Sequence, residues 1–355
     1  MSPSISAAPL LQPLNTGALE LPNRILMAPM TRLRTLPDLS MQPIAETYYA
    51  QRAGAGLIIS EVVAVAPYGA GYGPMPALIT DAQIASWKKI VEAVHAAGGR
   101  IAAQLWHSGR ARRDEDFAAD AGPFAAVGQP LLPEELTAGE LAAMPKNFAT
   151  AARTAIDIGF DAVEVHAGNA MLLANFLRGD ANRRTDEFGG SADKRPRLLL
   201  NILEAVAGAV GSGRVGVKVA PNSAFKGSFD PTARETFARL LPRLAALDLA
   251  YVQVNRPSTG DLADCTGETT SIEWVREHYS GTLVGAENFG LEDGAQAVAD
   301  GTLDAIAYGR PFLTNPDLPA RFAQGAPLNE LRLDTVYGTG ESGYLDYPAL
   351  EYAEA

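Results

Sequence analysis

Ala162-Val-Glu-Val165-His166-Ala-Gly-Asn169-Ala-Met171, running on through Leu177 to Asn182-Arg-Arg-Thr-Asp-Glu-Phe-Gly-Gly190, joins a short β-branched run to a polar, arginine-rich loop. Ala162–Val165 has the continuous hydrophobicity of a strand buried on both faces. His166 and Asn169 fall just past its C-terminal end, where both can point toward a ligand. Two neutral donors there suit an oxygen that gains negative charge. Taken alone, His166 reads more simply as a satisfied core histidine and Asn169 as a helix N-cap. The rest of the chain decides between these readings.

Seven further runs resemble Ala162–Val165: Arg24–Ala28, Leu57–Ser60, Ile101–Leu105, Val215–Val219, Ala250–Val254, Leu283–Gly285 and Ala305–Tyr308. Helical spacing separates them, as in Ile84, Trp87, Ile90, Val91 and Val94. Eight βα units predict an α/β fold, a single (β/α)8 TIM barrel. No linker or low-complexity segment divides the 355 residues, so one domain, 1–355, is expected. Arg110–Lys146 contains no obvious strand and follows the third strand, which reads as an active-site loop.

Composition narrows the function. A net charge of −12 argues against a nucleic-acid groove or an anionic membrane surface. Cys265 is the sole cysteine, so there is neither a disulfide framework nor a zinc spacing, which suits a reducing compartment. Met1–Pro9 lacks the basic and apolar regions of a signal peptide, and the reading is cytoplasmic. His95, His107, His166 and His278 show no metal-ligand spacing, and no metal is expected.

In such a barrel the chemistry collects at the C-terminal strand ends. Those positions hold Thr31, then Gln104, Trp106 and His107, then His166 and Asn169, with Lys218 within the fifth strand. Gly285 and Ala286 end the seventh strand, and Gly309 and Arg310 follow the eighth. Backbone N–H groups there, with the Arg310 charge, suit a phosphorylated ligand; singly, each glycine reads as a turn residue. Two literal G-x-G-x-x-G matches, Gly211–Gly216 and Gly338–Gly343, do not follow a strand and open a helix, so no Rossmann domain is expected.

Asn23-Arg-Ile-Leu-Met-Ala-Pro-Met-Thr31-Arg, Gln104-Leu-Trp-His-Ser-Gly-Arg110, the His166 segment through Ser191, Ala307-Tyr-Gly-Arg310, Asn315-Pro-Asp-Leu318 and Gly343-Tyr-Leu-Asp-Tyr-Pro348 occur in this order. The pattern resembles the Old Yellow Enzyme family of FMN-dependent ene-reductases, in particular the bacterial reductases of enones and nitrate esters. The resemblance implies FMN as cofactor and NADPH or NADH as reductant. It places Ala28, Pro29, Met30, Thr31, Val62 and Gln104 around the flavin, Lys218 near its N1 and O2, and Gly285, Ala286, Gly309 and Arg310 at its phosphate. His166 and Asn169 would donate to the carbonyl or nitro oxygen of an activated alkene, a small-molecule partner, while Tyr72, Trp106 and Tyr344 would shape the substrate pocket. The protein is expected as a monomer or homodimer.

Three departures matter. Lys218 stands where the family usually has arginine, which keeps the charge but loses the planar fork. Val62 occupies a place where relatives often carry a smaller residue. Met171 replaces the tyrosine that protonates Cα in the family, and a thioether donates no proton. Solvent or a hydroxyl such as Tyr72 takes over, or the substrates need little acid help, or the enzyme is an isomerase or desaturase of α,β-unsaturated carbonyl compounds. Arg110, Arg112 and Arg113 suit a 2′-phosphate, or simply form a solvated charge run.

Overall fold

The computed structural model describes residues 6–66, 75–107, 133, 136–169, 171–222, 230–257 and 268–350. It opens with an antiparallel hairpin, β1 (Leu14–Thr16) and β2 (Leu19–Leu21). Eight strands follow: β3 (Ile25–Met27), β4 (Ile58–Ala64), β5 (Ile101–Trp106), β6 (Ala162–Ala167), β7 (Val215–Val219), β8 (Tyr251–Asn255), β9 (Leu283–Ala286) and β10 (Ala305–Tyr308). They pair in parallel in the order β10-β3-β4-β5-β6-β7-β8-β9 and close a barrel, as the sequence predicts.

Alternation along each strand builds two cores. On β6, Val163 and Val165 join the outer apolar layer with the helices, whereas Ala162 belongs to the cluster inside the barrel. Glu164 and His166 share the phase of Ala162, and His166 stands opposite Lys218 in the register. The strand runs two residues beyond the predicted Val165, so His166 lies on its last pairs and not past its end. β4 also runs further than predicted, across a register shift between Ile59 and Val62.

The hairpin closes the N-terminal end of the barrel. The Thr16 hydroxyl donates to the Ala250 carbonyl and lies 2.9 Å from Thr282 Oγ1, and the Ala18 N–H donates to the Gly213 carbonyl at 2.8 Å. Gly17, at φ +56°, leaves no room for a Cβ against the backbone of Gly213. The Gly211–Gly216 match is thus a packing feature, and a Cβ on Gly216 would strike the Tyr251 ring inside the barrel.

Residues 138–146 correct the loop reading, because they are the first turns of a helix, Ala138–Asp157. Pro145 sits inside it and masks the pattern, yet Leu141, Met144, Phe148, Ala151, Ala152 and Ala155 form one buried stripe. Thr137 and Glu140 close a capping box at its start: Thr137 Oγ1 accepts from the Glu140 N–H at 3.2 Å, and Glu140 Oε2 from the Thr137 N–H at 2.9 Å. Among the described residues, no helix is long and apolar enough to cross a membrane.

Candidate active site

A cavity of about 770 Å³ opens at the C-terminal ends of the strands, a size that accommodates a cofactor with a small substrate. Ala28, Pro29, Met30 and Thr31 line it beyond β3, Val62 on β4, Gln104 and Trp106 on β5, and His166, Asn169 and Met171 at the end of β6. Lys218, Ala286, Gly309 and Arg310 complete the set of anticipated residues that it gathers. Gly285 does not line it, since its Cα faces outward against Leu303 and Phe289. Tyr344 is also elsewhere: fully buried, its ring stacks on Tyr48 at 4.0 Å. Tyr72, Arg110, Arg112 and Arg113 lie outside the described residues.

Local geometry turns His166 and Asn169 into donors. The Gly168 N–H donates to His166 Nδ1 at 3.4 Å, which leaves the proton on Nε2. Burial, then the nearby Lys218 charge, pushes the imidazole down to about 3, so it is neutral at any working pH. Asn169 holds a left-handed backbone, φ +53°, and its Oδ1 accepts from Asn255 Nδ2 at 3.2 Å. Its own NH2 is therefore the end left to face the cavity. Asn255 escaped the sequence reading because the strand was ended one residue early, at Val254; the strand-end rule applied to β8 finds it.

Beneath the cavity the barrel interior is polar. Gln104 Nε2 donates to Glu164 Oε1 at 2.7 Å. Burial pushes the Glu164 carboxyl up to about 7 against the pull of Lys218, Gln104 and the Tyr251 hydroxyl. Lys218 is drawn below its ordinary value by burial, while Glu164 and Glu287 hold it up. The buried Glu164 carboxyl and the Lys218 ammonium thus lie within electrostatic reach of each other beside the cavity-lining Gln104.

The wall above is apolar. Met171 and Met75 pack on a cluster of Val62, Ala64, Ala77 and Trp106, which brings the two departures at 62 and 171 into one patch. Opposite lies a C-terminal segment whose Leu331, Leu333, Val336 and Tyr337 line the cavity. Arg32 donates to the Val336 and Gly343 carbonyls, at 3.1 and 2.7 Å, and thereby holds that segment beside Thr31. Glu61 supports the same turn: it is fully buried, and its Oε2 accepts from the Arg32 N–H at 3.2 Å. Neither Tyr337 nor Glu61 was foreseen, the first because its segment has no periodicity, the second because it sits at the β4 irregularity.

At the far end, Glu287 and Asn288 both have positive φ, +75° and +55°, and line the cavity beside Arg310. Such a turn strains non-glycine residues. Arg256 braces it, donating to the Glu287 carbonyl at 3.0 Å and pairing with Asp293 at 2.7 Å. Arg310 Nη1 donates to Asn288 Oδ1 at 3.0 Å.

The donor set fits FMN: an amide and a cation at one end for a pyrimidine edge, an arginine with backbone groups at the other for a phosphate, and Met30 and Thr31 between. Comparison with known proteins agrees. Residues 9–329 match the model of the NADH:flavin oxidoreductase / NADH oxidase family. A putative 12-oxophytodienoate reductase 2 of Oryza sativa subsp. japonica is 35% identical over 99% of this chain and 96% of that protein. The structure of morphinone reductase in complex with tetrahydroNAD superposes with a TM-score of 0.85 at 39% identity, covering 96% of this chain and 98% of the other. The Old Yellow Enzyme homologue from Zymomonas mobilis gives 0.86 at 34% identity, covering 96% and 99%.

Proposed function

The chain belongs to the NADH:flavin oxidoreductase / NADH oxidase family, and from that premise we propose that it reduces electron-poor alkenes, nitroalkenes and quinone-like compounds before simple enones. It is an FMN- and NAD(P)H-dependent oxidoreductase. FMN held in the cavity would supply hydride transfer, from NAD(P)H to the β-carbon of the alkene.

The observation that carries the reading is the paired presentation of His166 Nε2–H and Asn169 Nδ2–H at one cavity wall. Both are neutral donors held before the substrate arrives, aimed where a carbonyl or nitro oxygen gains charge. In well-studied oxyanion sites such a donor contributes roughly 3–4 kcal/mol. Gln104 and Lys218 would hold the pyrimidine edge, Thr31 the opposite carbonyl, and Gly309 with Arg310 the phosphate.

Met171 supports the substrate preference. It packs in the Val62–Trp106 patch and brings no acid to the reacting Cα. General-acid help is typically worth about 10²–10⁴ in rate, so the substrates least harmed are those whose product anion is a weak base, and a nitronate is a far weaker base than an enolate. The same apolar patch favours a second reading, isomerisation or desaturation of an α,β-unsaturated carbonyl compound, because an unprotonated product anion can return the hydride.

The test is anaerobic. The flavin is reduced with NADPH, a nitroalkene or 2-cyclohexenone is added, and reoxidation is followed by visible absorbance. Fast reoxidation by the nitroalkene with saturated product is expected. Equal or faster turnover of cyclohexenone sinks the preference, and product formed without net NAD(P)H consumption supports the second reading.

A further inference from the structure

We propose that Asn255 is a positioning residue for the substrate-binding pair: it holds the Asn169 amide so that the NH2 group, and not the oxygen, faces the substrate. The inference rests on the donor-pair reading and extends it to a residue from a different strand. Asn255 is the last residue of β8, buried to 8% exposure, and its Nδ2 lies 3.2 Å from Asn169 Oδ1. That is the one hydrogen bond the Asn169 side chain makes among the described residues.

An asparagine amide is nearly symmetric in shape but opposite in polarity, so its orientation is set by whichever neighbour it meets. A half-turn of Asn169 would put its oxygen against the oxygen of a carbonyl or nitro group, replacing attraction with repulsion. Nothing among the described residues of the local chain prevents that half-turn. The backbone at Asn169 is left-handed, φ +53°, and Met171 N–H to Gly168 O at 3.3 Å closes the turn without touching the side chain. The partner that opposes it is Asn255, from β8, two strands away in the barrel order. Its own Oδ1 is buried with no partner among the described residues, so its bond to Asn169 is the one hydrogen bond of that side-chain amide among them.

The side chains available at position 255 make the claim sharp. Leucine neither donates nor accepts and leaves Asn169 free to take either orientation. Ionised aspartate has the asparagine shape but only accepts, so it captures the Asn169 NH2 and turns the oxygen toward the substrate. The order of harm is then Asn255→Asp above Asn255→Leu, although aspartate is the closer isostere; a residue that merely fills space gives the reverse order.

The experiment measures binding of cyclohexanone, which has the acceptor oxygen but no double bond, to the FMN-loaded protein by the change in flavin absorbance. N255L, N255D and N169L are compared with the parent, each checked for bound flavin and thermal midpoint. The expected result is a Kd raised about tenfold or more by N255D, less by N255L, with the flavin spectrum of the free enzyme unchanged. Parent-like binding by N255D, or weaker binding by N255L than by N255D, overturns the assignment while N169L still binds poorly. If N169L also binds cyclohexanone as the parent does, the donor-pair reading itself falls and the role of Asn255 with it. Should N255L not fold, N255V takes its place as the variant that neither donates nor accepts.

Discussion

Gln104 donates an Nε2 hydrogen to Glu164 Oε1 across 2.7 Å, which leaves its amide oxygen as the group presented to the cavity. Glu164 also stands beside Lys218 and Tyr251, so one buried carboxylate, contributed by β6, fixes an amide on β5 and offsets a cation on β7. An imide ring with a donor N–H between two carbonyl oxygens would find an acceptor and a cation there. Strand β6 therefore does two jobs on one face: His166 lines the cavity, and Glu164 lies below it.

Replacing Glu164 with glutamine should loosen the flavin. The substitution keeps the volume but strips Lys218 of the nearby carboxyl that favours its charge, which leaves a buried ammonium less compensated. Part of that is relieved when the lysine loses its proton, and the cation at the pyrimidine edge is then lost too. FMN affinity of the apoprotein, read by quenching of flavin fluorescence, is expected to fall at least about tenfold. Unchanged affinity would mean that Glu164 contributes packing and no more.

Met171→Tyr should restore an acid to the wall formed by Val62, Trp106 and Met75. The expected gain falls in the range of about 10²–10⁴-fold for 2-cyclohexenone and is small for a nitroalkene. Single-turnover reoxidation of the reduced enzyme by each substrate measures it. A uniform gain, or none, would show that proton delivery does not limit the parent enzyme.

Much of this was legible because a parallel barrel writes itself as eight continuous apolar runs, and because it places chemistry at their ends. That rule singled out His166 and Gln104, with Lys218 read within its strand, and all three line the cavity. Its failures have physical causes. Pro145 interrupts a helix whose buried stripe continues on both sides, so residues 138–146 read as loop. The aromatic facing the cavity from the C-terminal segment is Tyr337 and not Tyr344, and a segment held by arginine-to-carbonyl bonds carries no periodic pattern to tell the two apart. Asn255 and Glu164 act through other side chains, a relation that only tertiary contact reveals.

Glu61 makes stability depend on pH in a calculable sense. Burial raises its carboxyl from 4.5 to about 7, with the Arg32 N–H and the Tyr49 hydroxyl pulling the other way. A folded value above the unfolded one means that the native state binds the extra proton between roughly pH 4.5 and 7; stability is highest below this window and is lost as pH rises through it. The loss is about 3 kcal/mol if the full shift is realised. Urea unfolding at pH 5 and pH 8 should therefore show a smaller decline in Glu61→Gln than in the parent. Parallel declines in the two proteins would exclude Glu61 as the source.

Arg34 should govern the C-terminal wall of the cavity. Its guanidinium is buried and donates to the carbonyls of Gly340, Val336, Thr335 and Ser342, at 3.1, 3.1, 3.3 and 3.1 Å, while lying 4.5 Å over the Tyr344 ring. Hydrogen bonds from a charged donor are worth about 1.5–3 kcal/mol each, although Arg32 still binds Val336 and Gly343 when Arg34 is removed. Arg34→Met is thus expected to release residues 331–340 without unfolding the barrel. Limited chymotrypsin digestion should cleave at Tyr337 at least about tenfold faster, since each 1.4 kcal/mol of easier opening is a factor of ten when opening is fast relative to cleavage. KM should rise several-fold with a thermal midpoint close to that of the parent, because Val336 and Tyr337 line the cavity but belong to no barrel strand. A large drop in the midpoint, or cleavage no faster than in the parent, would place Arg34 in the folding core and not in the wall.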